Sequence, residues 1–402
     1  MHLKRFTRGA VRDKRVLVRV DFNVPLANGE VTDDTRIRES LPTLIRLLDY
    51  GACPVLVSHL GRPGGKVDPR LTLAPVSGCL EQLLKKVEAD LTRVEFVPDC
   101  IGEKVQEALR KWIPGEVILL ENTRFYAEEE ANDESFAREM AAPFDAFVSD
   151  AFGMAHRAHA SNVGVTRFLP SYAGLLIERE VSALSRLLHS PERPFCVVLG
   201  GKKVSDKLPL LLGLRGRADL VLVGGAMMFT LARAAGFSVG KSLVEERLVE
   251  KCRELIEIYR RSSSALVMPT DVVVADDAAS PTVVRNVRLS EIGAEDIGVD
   301  IGEEARWLFS EHIASAHTIF WNGPMGIFEL KPFHLGTMAV AEAIAANNRA
   351  FSVVGGGESV QALAQLRLSE RVSHVSTGGG ASLAMVAGND LPGLNALQVE
   401  AD

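Results

Sequence analysis

FCVVLGGKKVSDK, residues 195–207, carries the pattern from which the architecture can be read. Five apolar residues rich in valine run straight into a glycine pair and then into lysines. A continuous apolar run, rather than an alternating one, suits a strand buried on both faces of a parallel sheet. The same phrase recurs outward from it. Strands are expected at Val16–Val20, Pro54–Val57, Val117–Leu120 and Ala146–Val148 before it. After it they are expected at Leu220–Val223, Val272–Val274, Ile319–Trp321, Phe351–Val354 and His374–Val375. Stretches such as Ser40–Tyr50 and Val244–Tyr259 carry Leu and Ile at helical spacing. Alternating strand and helix signals predict a doubly wound α/β architecture. So many strands exceed one comfortable open sheet, so two are expected. Leu175 to Leu188 reads as one helix, closed by Pro191 and Pro194, and joins the two domains.

Bulk properties narrow the function. The chain has 402 residues, 47% of them hydrophobic, and a net charge of −7 spread over both halves. That is globular composition and disfavours nucleic-acid binding by bulk charge. No apolar window is long enough for a transmembrane helix, and MHLKRFTRGAVRDKR lacks the apolar core of a secretory signal. Five scattered cysteines without a C-x-x-C pair suggest neither a disulfide framework nor a zinc site; Cys53 and Cys196 read as core residues. The expectation is a cytoplasmic protein without a membrane partner.

In doubly wound sheets, ligands sit at the carboxyl ends of strands. In the first half those ends read RVDFNVP (19–25), SHLGRP (58–63), ENTRF (121–125) and DAFGMAHRAH (150–159). They bring Arg19, His59, Arg62, Arg124, His156, Arg157 and His159 to one edge, with Arg36 following in VTDDTRIRES. Singly, each arginine is most simply a surface charge. Together, their planar donor forks point to a site for a small polyanion. Glu128–Glu130 reads as a solvated acidic turn.

In the second half the strand ends are glycine clusters: LGGKKVSDK (199–207), VGGAM (223–227), WNGPMGIFE (321–329), VGGGES (354–359) and STGGGA (376–381). Bare backbone N–H groups at strand-to-helix junctions favour phosphate, and Lys203 and Lys207 add charge. GRPGGKV (61–67) is not a Walker A loop, and no dinucleotide fingerprint is present. One lobe for an anion and another for nucleotide phosphates imply phosphoryl transfer between them.

These eight ordered stretches, RVDFNVP, SHLGRP, ENTRF, DAFGMAHRAH, LGGKKVSDK, NGPMGIFE, VGGGES and STGGGA, resemble the motifs of phosphoglycerate kinases and span residues 19–381. The resemblance implies reversible phosphoryl transfer between ATP and the carboxylate of 3-phosphoglycerate. It implies a phosphoglycerate-binding domain over 1–172, with 389–402 packing back on it, and a nucleotide-binding domain over 173–388 across a cleft. Carried over residue by residue, Asp21, Asn23, Arg36, His59, Arg62, Arg124 and Arg157 match the phosphoglycerate site. Lys203, Lys207, Gly302, Glu329, Gly356, Gly357, Glu358 and Ser359 match the nucleotide site. Arg36, Lys203 and the backbone of Gly379, within Gly378–Gly380, match groups around the transferred phosphoryl. Mg²⁺ accompanies the nucleotide, with Glu358 as its protein contact, and the chain is expected to act as a monomer.

The pattern also departs from the family's. Glu358 stands where Asp is usual, Ala226 where a third glycine is usual, Met154 where Thr is usual and Ser149 where Asn is usual. The rival readings are another two-lobed kinase, or an anion-binding protein without catalysis.

Overall fold

The computed structural model describes residues 2–87 and 93–399. They fall into two compact units. One holds the described residues up to Ser182 and those from Asp390 onward; the other is Ala183–Asn389.

The first unit contains β1 (Arg15–Arg19), β2 (Leu26–Ala27), β3 (Glu30–Val31), β4 (Cys53–Val57), β5 (Arg93–Val97), β6 (Glu116–Leu120), β7 (Ala146–Ser149) and β8 (Ser171–Ala173). Six of these form one sheet in the order β5-β6-β4-β1-β7-β8, every pair parallel. β2 and β3 make a small hairpin. Strands β4, β6 and β7 are buried along their whole length, as expected of strands covered on both faces. Chain connections leave β1 towards β4 and leave β7 towards β8, so the order reverses between β1 and β7. That reversal opens a crevice at their carboxyl ends.

The second unit repeats the plan with β9 (Phe195–Leu199), β10 (Leu220–Val223), β11 (Ala265–Val267), β12 (Asp271–Ala275), β13 (Val284–Arg288), β14 (Ile297–Ile301), β15 (Thr318–Asn322), β16 (Phe351–Gly355) and β17 (His374–Val375). Its parallel sheet runs β11-β10-β9-β15-β16-β17, with the reversal between β9 and β15. Their ends meet closely: a Cβ on Gly200 would lie 2.0 Å from the Pro324 carbonyl oxygen. Glycine there serves backbone packing.

All ten expected strands exist, with every end within one residue of its expected place. One has a different setting: the strand around Val272–Val274 is not in the main sheet. It centres a separate antiparallel sheet, β13-β12-β14. Its edge partner VRNVR is largely exposed, so arginines, not an apolar run, mark that strand. Helix Leu175–His189 matches its expected span, and the division between units falls inside it. Its first turn is tied to the first unit: Leu175 N–H donates to Thr43 Oγ1 and Leu176 N–H to Asp150 Oδ1, each at 2.9 Å. The segment after Asp390 joins the same unit through Gly393 N–H to the Ala155 carbonyl and Lys4 N–H to the Leu397 carbonyl, both 2.9 Å.

Candidate active site

In the first unit, parallel strands place every carboxyl end on one edge, and the loops there carry the expected side chains. Asp21 and Asn23 follow β1, His59 and Arg62 follow β4, Arg124 follows β6, and Arg157 follows β7. Arg36 lies in the first turn of helix Thr35–Asp49. Its Nη1 donates to Asp21 Oδ2 at 2.6 Å. Asn23 Oδ1 accepts from Gly61 N–H at 2.9 Å, and Arg124 Nη1 donates to the Gly61 carbonyl at 2.7 Å, so both grip the loop that carries His59 and Arg62. Arg124 is buried and pairs with Glu130 (Nε···Oε1 3.0 Å). Arg157 Nε lies 3.3 Å from His156 Nε2. Arg62 is exposed and has no hydrogen bond or ion pair among the described residues.

Beneath this face the electrostatics are unusual. Burial, with Arg19 and Arg124 nearby, holds His59 well below the ordinary imidazole value. His156 is lowered for the same reasons, burial first and Arg157 second. Both rings are therefore neutral at physiological pH. Arg19, expected on the surface of the edge, is wholly buried and points inward. Glu129 corrects the reading of a solvated acidic turn, because it too is fully buried. Burial alone would raise its carboxyl, but His159, Arg19 and Ser161 bring it down to about 2.

In the second unit a cavity of about 440 Å³ opens at the ends of β9, β10 and β15. Gly201, Lys202, Ala226 and Pro324 line one part, Met228, Phe229, Leu243 and Ile297 an apolar part, and Glu329 and Glu358 its acidic rim. The apolar part suits a flat ring system and the polar part an anionic tail. Burial pushes the Asp300 carboxyl in its wall up to about 7, although Gly336 and Ile301 N–H groups bond it.

The expected nucleotide residues divide. Glu329 and Glu358 line the cavity; Lys203, Lys207, Gly302, Gly356, Gly357 and Ser359 do not. Lys203 is exposed, two residues past the cavity-lining Gly201. Lys207 is buried and donates to Asn322 Oδ1 at the end of β15. Burial lowers its ammonium to about 8, against the pull of Asp206 and Glu358. Ser359 Oγ accepts from Gly323 N–H at 2.7 Å. Gly356 has φ 91° before helix Gly357–Gln365, and Gly379 has φ 50° before helix Gly380–Val386, conformations that only glycine adopts readily. Gly302 lies outside the cavity lining. It caps helix Glu303–Ser315 against Asp271, whereas Gly298, four residues earlier, is one of the glycines that line the cavity, with Gly201, Gly225 and Gly326. A Cβ on Gly298 would sit 1.9 Å from the Phe229 ring, so only glycine leaves both in place.

A family model described as phosphoglycerate kinase matches residues 7–389. The chain belongs to the phosphoglycerate kinase family. It is 52% identical over 387 residues to the phosphoglycerate kinase of Rubrobacter xylanophilus, covering 96% of each chain. It is similar to the phosphoglycerate kinase structure from Coxiella burnetii (TM-score 0.84, 38% identity, 96% of this chain and 97% of that one). The structure from Pyrococcus horikoshii aligns with TM-score 0.86 at 33% identity over 98% of both chains. Phosphoglycerate kinases transfer a phosphoryl group between ATP and 3-phosphoglycerate, and this chain is such an enzyme.

For this phosphoglycerate kinase, the donor set bears on magnesium. Among the described residues, no cluster of three or more His, Cys, Asp or Glu could hold a metal ion. Glu358 and Glu329 are close enough that, after partial burial, their mutual repulsion raises the Glu358 carboxyl, with Lys207 opposing. One or two carboxylates fit a Mg²⁺ whose remaining ligands are phosphate oxygens and water. Sequence reasoning missed Gly298 and Asn322, although Asn322 lies within the quoted WNGPMGIFE. It also missed Glu129 and Ser161, whose roles depend on burial.

Proposed function

We propose that the cationic edge of the first unit binds 3-phosphoglycerate and that the cavity of the second binds ADP or ATP. What supports the first half is the gathering of Arg36, Arg62, Arg124 and Arg157 on one sheet edge around a neutral His59. Asp21 and Asn23 orient that set, Asp21 through Arg36 and Asn23 through the Gly61 loop. In the second unit Lys207 faces the nucleotide's phosphates, while Gly356, Gly357 and Ser359 hold the start of their helix beside them.

Phosphoryl transfer involves little covalent work by the protein and depends on alignment and charge. Arg36 from one unit and Lys203 from the other meet the transferring group, and the Gly379 backbone adds an N–H donor. Because the two half-sites lie in different units, they must come together for transfer, which also excludes water. Glu358 would hold Mg²⁺ together with the nucleotide's phosphates, where it would supply positive charge against the phosphate oxygens. The enzyme works as a cytoplasmic monomer without nucleic-acid or membrane partners. The net charge of −7 supports the part of this reading that concerns nucleic acid.

Calorimetry on two variants tests the division. Arg124→Ala should lose 3-phosphoglycerate binding and keep ADP binding. Ala226→Leu, which fills the cavity, should do the reverse. Loss of the same ligand in both variants would refute the assignment.

A further inference from the structure

Glu129 and Arg19 are both fully buried, and neither can touch a ligand directly. They are joined through Ser161. Glu129 Oε1 accepts from Ser161 Oγ at 2.6 Å and Oε2 from Ser161 N–H at 2.9 Å. Thr123 Oγ1 adds a longer bond to Oε1 at 3.3 Å, and His159 Nδ1 stands 3.8 Å away. Ser161 Oγ in turn accepts from Arg19 Nε at 2.8 Å. A buried carboxylate and a buried guanidinium are each costly alone, and as a bridged pair they are mutually compensated. Of its other donors, Arg19 gives one from Nη1 to the Val20 carbonyl and one from Nη2 to His59 Nδ1, at 3.2 Å.

That last contact has a chemical consequence. A guanidinium has donors and no acceptor, so Nδ1 of His59 must be the acceptor and carries no proton. The ring is then neutral with its hydrogen on Nε2. Nε2 has no hydrogen-bond partner among the described residues, and it is not sealed from solvent. The charged groups around the ring are Arg19, Arg124, Arg36 and Glu129, of which only Glu129 is negative.

We propose that Glu129 and Arg19 are positioning residues that lock His59 into one neutral tautomer, presenting a fixed Nε2–H donor to an anionic substrate oxygen. This rests on the reading of the cationic edge as the phosphoglycerate site. Arginines there supply charge, and His59 supplies direction. Glu129 is what allows an arginine to sit under the face without repelling its neighbours out of place.

The test uses the full chain labelled with ¹⁵N in its imidazoles, with His59 signals assigned by their loss in His59→Gln. In the unliganded enzyme, long-range ¹H–¹⁵N spectra should show a protonated Nε2 and an acceptor Nδ1, unchanged from pH 5.5 to 8. Protonation at Nδ1, or a titration near the ordinary imidazole value, overturns the proposal. Glu129→Gln and Arg19→Gln should both mix the tautomers. They should raise KM for 3-phosphoglycerate on the order of tenfold with kcat little changed, as expected for a lost hydrogen bond to a charged group. Ser161→Ala cuts the same bridge without changing charge and serves if Arg19→Gln does not fold. An unchanged tautomer in the folded variants, or an unchanged KM where the tautomer has scrambled, also overturns it. Adding 3-phosphoglycerate to wild type should shift Nε2. If it does not, the substrate-face assignment fails while the tautomer result stands.

Discussion

Arg36 Nη1 donates to Asp21 Oδ2 at 2.6 Å, so an arginine with roughly a third of its side chain exposed is already aimed before any ligand arrives. Pre-orientation of this kind lowers the reorganisation needed when charge develops on the transferring group.

Arg36→Ala should therefore lower kcat far more than it raises KM. A comparable electrostatic donor is worth ~3–4 kcal/mol in the transition state, which corresponds to a drop on the order of 10²–10³. Steady-state kinetics with both substrates saturating would show it. A near-normal kcat would remove Arg36 from the transfer step.

Glu358 carries one methylene more than the Asp usual at that place and sits at the exposed start of its helix. Glu358→Gln is expected to raise the Mg²⁺ concentration needed for half-maximal rate and to leave 3-phosphoglycerate binding intact. A Mg²⁺ titration that coincides with wild type would exclude the contact.

Lys207 gives a pH signature. Its ammonium titrates near 8 in the folded enzyme because burial disfavours the charge, against an ordinary lysine value of 10.5. Between those values the unfolded chain binds more protons, so stability should rise with pH across that window by about 3 kcal/mol. Denaturant unfolding of wild type against Lys207→Met between pH 7.5 and 10.5 isolates this contribution. ADP affinity should move the other way, weakening as the ammonium is lost, and calorimetry across the same range checks it. A slope identical in both proteins would rule out Lys207 as the source.

No side chain is expected to act as an essential general base. The acceptor carboxylate ionises at about pH 3–4 and arrives deprotonated. Since His59 and His156 are both depressed by burial and neighbouring arginines, neither should give a titration near neutrality. Forward kcat should be flat there, falling where phosphate protonates near pH ~6. His156→Gln should retain substantial turnover at saturation, and the loss of both turnover and a neutral-range titration would contradict this.

Bringing the half-sites together should compact the enzyme. Small-angle scattering is expected to show a smaller radius of gyration with 3-phosphoglycerate and nucleotide together than with either alone. Equal radii in the free and doubly liganded states would argue against closure.

The two parallel sheets, and the loops that follow their strands, can be read from the chain alone. Buried central strands such as CPVLV and FCVVL must be apolar throughout, so they announce themselves, and the residue after each strand end is then at the ligand edge by topology alone. That topology puts Asp21, Asn23, His59, Arg62, Arg124 and Arg157 past strand ends, while Arg36 lies in the first turn of helix Thr35–Asp49. Which polar groups face inward depends on the folded chain. Arg19, Glu129 and Ser161 meet from segments 32 to 142 residues apart, and nothing local distinguishes Glu129 from its exposed neighbour Glu128. The surroundings of Gly298 and Gly302 are of the same kind: a Cβ would meet the Phe229 ring at one and the Asp271 carboxylate at the other. Strand identity follows from a periodic pattern along the chain. Burial of a charge follows from a partner brought in across the fold, and its position is not encoded by any local period.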